Sequence, residues 1–124
     1  MHKYKRCIYF PAWPENFNFI KKLNFKLIKD KNKFNIVFTG NVGEAQNFNN
    51  IFKVMKYFKN HEKINWLIVG GGRKLQKLKK DAKAKNIKNI KFYGNIPIEK
   101  IPTFHEIADV LLISLNKGIG LSAT

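Results

Sequence analysis

One pattern, repeated three times, limits the folds open to this chain: an apolar run ends at a glycine, and a polar loop and a segment of helical spacing follow. The runs and their glycines are 35–39 with Gly40, 66–69 with Gly70, and 90–93 with Gly94. The runs place apolar residues on both faces of a strand, as in strands that are buried on both sides; Asn35, Thr39 and Lys91 are their polar members. The sequence therefore predicts an α/β fold, a doubly wound, Rossmann-like parallel sheet with helices on both faces.

The segments between these runs have the spacing of amphipathic helices. In the first, helical spacing connects Phe48, Ile51, Phe52, Met55 and Phe58. The second, 73–85, carries an inner stripe of Leu75, Leu78 and Ala82. A third helix is predicted over 98–108, where Pro102 is either tolerated in the first turn or marks a late start. The apolar run 110–115 predicts a fourth buried strand, and 116–124 predicts a loop.

The first 33 residues lack this order. A short strand over 5–10 is followed by Pro11 and Pro14, which exclude a regular helix or a central strand there. We therefore predict an inter-domain linker arm over 1–33. One Rossmann-like domain, incomplete at its carboxyl end, is predicted over 34–124.

Composition indicates a folded protein of the cell interior. The chain has 124 residues, of which 44% are hydrophobic, enough for a core without disulfides. Cys7 is the single cysteine, which favours a reducing compartment. The apolar stretch 7–10 is too short for a signal peptide, and no stretch approaches a membrane span. We expect a cytoplasmic protein with at most peripheral contact at the inner face of the cell membrane.

The charge is strongly basic but spread out. There are 24 Lys and Arg against 8 Asp and Glu, a net charge of +16, which raises nucleic acid, anionic membrane or phosphorylated substrates as partners. The basic residues are nearly all lysines in every segment, and only Arg6 and Arg73 offer the planar group that binds phosphate through two hydrogen bonds. Diffuse, solvated charge is therefore favoured over a focused basic site.

The glycine loops mark the expected ligand site. In a parallel sheet the carboxyl ends of the strands meet at one edge, where a glycine lets a ligand phosphate approach bare amides. The loops 40–46 and 70–73 both fit this role. Each also has a purely structural explanation, a tight turn for the first and helix–sheet packing for the second.

Other chemistry is not supported. The chain lacks a GxxxxGK[ST] run and a GxGxxG run with an acidic partner, so neither a P-loop nucleotidase nor a dinucleotide dehydrogenase is indicated. His2, His61 and His105 do not cluster, and no metal-ligand spacing occurs. We interpret His105 as a partly exposed structural residue and Asp109 as a turn or capping residue.

Four phrases, taken in order, resemble a known family. They are 38–46 (FTGNVGEAQ), 67–72 (LIVGGG), 92–97 (FYGNIP) and 108–115 (ADVLLISL). Together they resemble the carboxyl-terminal domain of family 4 retaining glycosyltransferases, and in particular the bacterial branch that builds capsular, O-antigen and other surface polysaccharides. The stretch 9–15 resembles the crossover segment between the two domains of that branch.

The resemblance implies half of a GT-B fold that holds a nucleotide sugar, usually a UDP-sugar, without a bound metal. By position, 40–46 would lie by the diphosphate, 70–73 would line the cleft, and the segment after the third strand would meet the base. The implied nucleotide-sugar-binding residues are Gly40, Asn41, Gly43, Glu44, Gln46, Gly71, Gly72, Arg73, Asn95 and Ile96. No residue is implied as catalytic.

The sequence departs from the family pattern in two ways. Asn41 and Gln46 stand where many members have Arg and Lys, so amides or other basic residues must contact the diphosphate. By the resemblance, we expect the sequence to end before the segment that supplies the family's acidic ribose and sugar contacts, and to lack the facing amino-terminal acceptor domain. We therefore expect a fragment that does not catalyse alone, because transfer needs both walls of a closed cleft.

Two other functions stay open. A non-enzymatic regulatory α/β module such as a receiver needs acids clustered at its strand ends, and Asp30, Asp81 and Asp109 do not supply them. A nucleic-acid binder that uses charge alone ranks last, because the chain lacks an aromatic RNA-binding strand or a glycine clamp for the backbone.

Overall fold

A computed structural model describes residues 27–117, which contain one parallel sheet. Its strands lie in the order β3-β2-β1-β4, with Phe34 opposite Ile64 and Trp66 opposite Ile90. The strands are β1 (Phe34–Thr39), β2 (Ile64–Val69), β3 (Ile90–Gly94) and β4 (Val110–Leu111). The helices are α1 (Phe48–Tyr57), α2 (Leu75–Ala84) and α3 (Ile101–Glu106), the last preceded by a 3₁₀ turn, Ile98–Lys100.

The sheet is covered on both faces, so the predicted doubly wound architecture is confirmed. Successive residues of a strand point to opposite faces. Ile68 accordingly packs in a cluster with residues of α1 and α2. Its neighbours Leu67 and Val69 pack in a second cluster with Phe104 of α3. The chain runs from β1 to β3 on one side of β1 and then returns to β4 on the other, which brings α3 to the opposite face.

Most of each predicted helical stripe is buried, but Phe52 is only half-buried and Phe58 lies just past the end of α1. Phe48, Ile51 and Met55 are the buried residues of α1. Leu75, Leu78 and Ala82 are those of α2. These side chains and the inward residues of β1 and β2 form the larger of the two clusters, so the spacing of apolar residues correctly fixed the face that each helix turns to the sheet.

The third predicted helix is shorter than its spacing indicated. The structure has the 3₁₀ turn Ile98–Lys100 and then α3, which ends at Glu106, instead of one helix over 98–108. Pro102 lies within the first two positions of α3. Proline has no amide hydrogen. It therefore fits best in the first turn of an α-helix, where a backbone amide would have no acceptor within the helix. Pro102 therefore marks the late start.

The prediction of a fourth buried strand is wrong in length and burial. Within the run 110–115, only Val110 and Leu111 form a strand beside β1, and their side chains are 43% and 49% exposed. Ile113, in the same apolar run, is 86% exposed. Within the described residues β4 has a partner on one edge only, so the run is not enclosed as a central strand would be.

Most of the predicted linker arm lies outside the described residues, as do the strand over 5–10, the prolines after it, Cys7 and the loop residues from 118 onward. The described end of the arm contacts the domain: Leu27 packs against the cluster of Val37, and Lys29 forms an ion pair with Asp109. The predicted boundary between residues 33 and 34 stays a prediction. Among the described residues, no helix has the length and apolar character needed to span a bilayer.

Candidate functional site

A cleft of about 510 Å³ lies at the carboxyl ends of β1, β2 and β3, where the three glycine loops meet as expected. The residues that line it come from these loops and from the start of α3. They are Gly40, Asn41, Val69, Gly70, Gly71, Gly72, Asn95, Ile96, Ile98 and Ile101. The cleft is thus built mainly from glycine, asparagine and aliphatic residues.

Backbone hydrogen bonds join the three loops to one another. The amide of Gly40 donates to the carbonyl of Val69 at 2.9 Å, and the amide of Gly70 donates to the carbonyl of Gly94 at 2.7 Å. Val42, which is fully buried, donates to the carbonyl of Gly71 at 2.6 Å. Since these bonds use main-chain groups, the position of one loop fixes the position of the next.

Two of the glycines are required by close approach. Gly70 has φ 126°, and a Cβ there would overlap the carbonyl oxygen of Gly40. Gly72 has φ 137°, and its Cβ would overlap the carbonyl oxygen of Val42. L-residues rarely adopt these φ values, and a backbone atom cannot move aside as a flexible side chain can. Gly70 and Gly72 are therefore glycines because the loops pack main chain on main chain.

Six of the ten residues that the family resemblance implied for the site line this cleft. They are Gly40, Asn41, Gly71, Gly72, Asn95 and Ile96. The other four, Gly43, Glu44, Gln46 and Arg73, lie outside its lining. A role in binding a nucleotide sugar stays a prediction for all ten.

The first loop uses polar groups of that second set to hold its own shape. The Gln46 side-chain oxygen accepts from the amide of buried Gly43 at 3.2 Å. Glu44 forms an ion pair of 2.5 Å with Lys74, the residue before α2. Arg73 is exposed. These contacts tie the loop after β1 to the start of α2 and leave the cleft wall to smaller residues.

The sequence reading missed Ile98 and Ile101 as residues of the site. Their spacing indicates only that they belong to the third predicted helix. In the structure both line the cleft together with the glycines, and Ile98 is 49% exposed. The spacing of apolar residues does not reveal that an isoleucine before a helix stays exposed, so the sequence carries no signal for this role. The two side chains add an apolar wall to a cleft whose other walls are largely main chain.

The cleft is suited to an anion without carrying a positive side chain. None of the residues that line it in the described part of the chain is charged. The amides of Gly71 and Gly72 donate to no group within residues 27–117. The next helix, α2, begins at Leu75, so its positive end lies three residues beyond this loop. Free amides beside a helix amino-terminus are a common arrangement for binding phosphate.

Tyr93 packs beneath this site. Its ring meets that of Phe104 edge-on, with centroids 4.8 Å apart, in the same cluster as Ile96 and Ile101. Burial raises the pKa of the Tyr93 phenol, because the charged form is poorly solvated there. The phenol is therefore neutral at physiological pH and adds no negative charge near the cleft.

The other titratable side chains singled out in the sequence have structural contacts. Asp109 lies at the opposite end of the sheet and accepts hydrogen bonds from the Lys29 ammonium at 2.5 Å and the Asn35 amide at 2.8 Å. These two bonds lower the pKa of Asp109. His105 is exposed, and its Nε2 lies 3.2 Å from the Thr39 hydroxyl. Between residues 27 and 117, no three His, Cys, Asp or Glu side chains are grouped as metal ligands.

Comparison with known proteins identifies the family. The sequence pattern of the family described as "Glycosyl transferases group 1" matches residues 19–124, most of the chain. The chain belongs to this family. Its members are named for glycosyl transfer, and the glycine-lined cleft is thus the candidate site of a glycosyl transferase.

Two curated members are similar in sequence. WcaI of Escherichia coli strain K12, a candidate colanic acid biosynthesis glycosyl transferase, is 26% identical over 121 residues, which cover 92% of this chain and 30% of WcaI. WbjE of Pseudomonas aeruginosa, a candidate glycosyltransferase, is 30% identical over 82 residues, or 66% of this chain and 20% of WbjE. The chain therefore spans less than a third of the length of these relatives.

Solved glycosyltransferases share the fold. The pneumococcal O-GlcNAc transferase GtfA, crystallised in complex with UDP and GlcNAc, matches 78% of this chain and 20% of its own, with a TM-score of 0.57 and 16% identity. The lipopolysaccharide outer core galactosyltransferase WaaB, in its apo form, matches 77% of this chain and 28% of its own, with a TM-score of 0.54 and 13% identity. The Rossmann-like fold of this glycosyl transferase domain is thus shared with GT-B enzymes.

Proposed function

We propose that this glycosyl transferase domain holds the nucleotide-sugar donor, of the UDP type, in the cleft over β1, β2 and β3. One observation carries the proposal: three strand ends bring bare glycine backbone to one cleft, three residues before the start of α2, and no residue of 27–117 that lines this cleft is charged. That wall complements a diphosphate, whose charge the amides and the helix end can stabilise together. The UDP complex of GtfA supports the choice of nucleotide.

The two sides of the cleft would bind different parts of the donor. The amides of Gly71 and Gly72 would donate to the diphosphate. Asn95 and Ile96, after β3, would meet the base, with the apolar side chains of Ile98 and Ile101 against its ring. Asn41 lines the cleft from the loop after β1, and its polar side chain would lie on the diphosphate side. We propose that the donor is held without a resident metal.

The reaction we propose for the whole protein is transfer of a sugar to a lipid-linked or saccharide acceptor during surface polysaccharide synthesis, at the cytoplasmic face of the membrane. The support is the naming of WcaI for colanic acid biosynthesis and of WaaB for the lipopolysaccharide outer core. A separate amino-terminal domain would bind the acceptor and form the facing wall.

By itself this chain should bind donor without turning it over. The cleft lining of the described residues contains no titratable side chain, so it offers neither a base nor an acid for transfer. A cleft open to solvent also leaves the sugar in water, where a transition state gains little from preorganised dipoles. We expect no release of sugar from UDP-glucose or UDP-galactose above the rate without protein.

The test is a titration of UDP into isotope-labelled protein, followed by the backbone amide shifts, with ADP as the comparison. We expect UDP to shift Gly40, Gly71, Gly72, Asn95 and Ile96, and ADP to shift them less. Saturation should need high concentrations, because no charged side chain of residues 27–117 lines the cleft to pair with the diphosphate.

A matched pair of variants makes the test specific. Asn95→Ala removes a polar group from the cleft wall, whereas Asn50→Ala makes the same change at an exposed position of α1. We expect the first to weaken UDP binding several-fold and the second to leave it unchanged. If the cleft amides stay still at millimolar UDP while lysine-rich segments respond equally to any polyanion, this proposal is wrong.

A further inference from the structure

The end of the sheet opposite the cleft is lined by lysines. Two pockets of about 470 and 400 Å³ lie there and share Lys33, which precedes β1. We call this surface the basic end. Its charged residues are Lys29, Lys31, Lys33, Lys59, Lys63 and Lys88, with Glu62 and Asp109 as the only carboxylates among the lining residues described. The cleft and the basic end thus lie at opposite ends of the same strands.

Most of this positive charge is not compensated within the domain. Lys29 is paired with Asp109, and the Lys33 ammonium donates to the Glu62 carbonyl. The other four lysines of the basic end form no ion pair within residues 27–117; they are Lys31, Lys59, Lys63 and Lys88. A group of free ammonium ions beside few carboxylates attracts an anionic partner.

Exposed apolar side chains accompany these lysines. Ile28, next to Lys29, is 86% exposed, and Phe34, which lines one of the two pockets, is 45% exposed. Tyr57 is 84% exposed, and its ring meets that of Phe58, which in turn faces His61 of the basic end. Aliphatic and aromatic groups set among lysines are typical of surfaces that sit at a lipid–water interface.

We propose that the basic end docks on an anionic lipid bilayer. The lysines would lie at the headgroup phosphates, with Ile28, Phe34 and Tyr57 entering the interface between them. Lysine suits this partner, because its compact charge needs no fixed geometry, whereas arginine is preferred for defined phosphate contacts. The exposed apolar groups favour lipid over nucleic acid, which charge alone would attract. Docking here would leave the cleft, which is lined by other residues, open to the donor.

The experiment is cosedimentation of the full chain with vesicles. Vesicles of phosphatidylglycerol and phosphatidylcholine in equal parts are compared with vesicles of phosphatidylcholine alone. We expect binding only to the anionic vesicles, falling as salt is raised. The triple variant Lys31→Gln, Lys63→Gln, Lys88→Gln should lower the partition coefficient on the order of a hundredfold, from about fivefold for each lysine at the surface.

A control variant of equal charge separates this surface from net charge. Lys77→Gln, Lys80→Gln, Lys117→Gln removes three exposed lysines: two from the first six residues of α2, and one next to Asn116, whose amide bonds to the loop after β1 at the cleft end of the sheet. We expect it to keep most of the vesicle binding. Ile28→Ser with Tyr57→Ser leaves the charge unchanged and should still weaken binding several-fold.

Three results would each overturn the proposal: no binding of the unmodified chain to anionic vesicles, equal loss in the two lysine variants, or capture by an oligonucleotide in place of vesicles. The inference does not depend on the donor site. UDP titration of the Lys31, Lys63, Lys88 variant should give unchanged shifts at the cleft, so failure of one proposal is visible apart from the other.

Discussion

Gly70 is the residue at which the loops after β1 and β2 come closest. A Cβ on Gly70 would overlap the carbonyl oxygen of Gly40, and its φ of 126° is one that L-residues rarely adopt. Gly94 also has a positive φ, of 67°, but a Cβ there meets no atom within 4 Å. We predict that Gly70→Ala lowers the free energy of unfolding by on the order of 3 kcal/mol. Gly94→Ala should cost about 1 kcal/mol.

Urea denaturation of the two alanine variants checks this difference. Both replace a glycine of positive φ at a strand end, so they differ mainly in the overlap with Gly40. An equal decrease in the free energy of unfolding of the two variants would contradict the prediction. It would show that the loops after β1 and β2 can move apart at little energetic cost.

Asp109 links the arm, β1 and β4 at the residue scale. The hydrogen bonds from Lys29 and from the Asn35 amide hold the pKa of this carboxyl below its ordinary value. A carboxyl with a lowered folded-state pKa stabilises the protein above its unfolded-state pKa, near pH 4, and this contribution is lost as the pH falls through the folded-state value. We predict that Asp109→Asn destabilises the protein at pH 7 and that the difference from the unmodified chain shrinks below pH 4.

Denaturation midpoints measured between pH 7 and pH 2.5 test the role of Asp109. Lys29→Gln is the companion variant, since it removes the ion pair and keeps the hydrogen bond to Asn35. Its pH dependence should fall between those of the other two proteins. A constant gap between the unmodified chain and Asp109→Asn across this range would contradict the assignment.

At the scale of elements, α2 and β4 differ in how firmly they are held. Leu78 of α2 is 5% exposed in the larger cluster, whereas Leu111 of β4 is 49% exposed at the edge of the sheet. We predict that Leu78→Ala costs about 2–5 kcal/mol of unfolding free energy, because it leaves a cavity. Leu111→Ala should cost under about 1 kcal/mol.

The same chemical change at both leucines makes their comparison direct in urea or thermal denaturation. A cost at Leu111 as large as that at Leu78 would mean that the apolar run 110–115 is enclosed in solution, as the sequence first indicated. Amide hydrogen exchange of β4 would then also be slow.

Sequence patterns correctly predicted the elements whose apolar residues are buried. They failed for β4, whose apolar residues are exposed. The stripes of α1 and α2 repeat at the helical period because a single sheet face receives them. Val110 and Leu111 are as apolar as the strands of the core, and composition alone does not reveal that their outer edge is uncovered. The carboxyl-end cleft followed from topology, but the use of Glu44 and Gln46 inside the loop depends on contacts with Lys74 and Gly43 that only the folded chain creates.

At the scale of the whole molecule, repulsion among the many lysines destabilises the folded state. The sequence carries a net charge of +16, and the described residues form three ion pairs, two of which involve exposed lysines or carboxylates. Repulsion between lysines is screened over about 10 Å at 0.1 M salt. We predict that the free energy of unfolding rises as sodium chloride is added from low ionic strength to about 0.1 M, because screening relieves the folded state more than the expanded one.

Denaturation at constant pH across this salt range tests the prediction, with potassium chloride as a second salt of the same valence. A fall in stability with added salt would show that the ion pairs outweigh the repulsion. Vesicle binding through the basic end should move in the opposite direction under the same conditions, so the two effects of salt are separable.

The hydrogen bonds between the loops after β1, β2 and β3 join main-chain atoms, and this frees the side chains above them for change. Substituting Asn41, Asn95 or Ile98 alters the chemistry of the wall and leaves the bonds from Gly40, Val42 and Gly70 in place. If the cleft binds the proposed donor, its preference for one base or sugar over another can therefore diverge by single substitutions without loss of the scaffold. For an engineer, the cleft is a surface whose selectivity can be redesigned one position at a time.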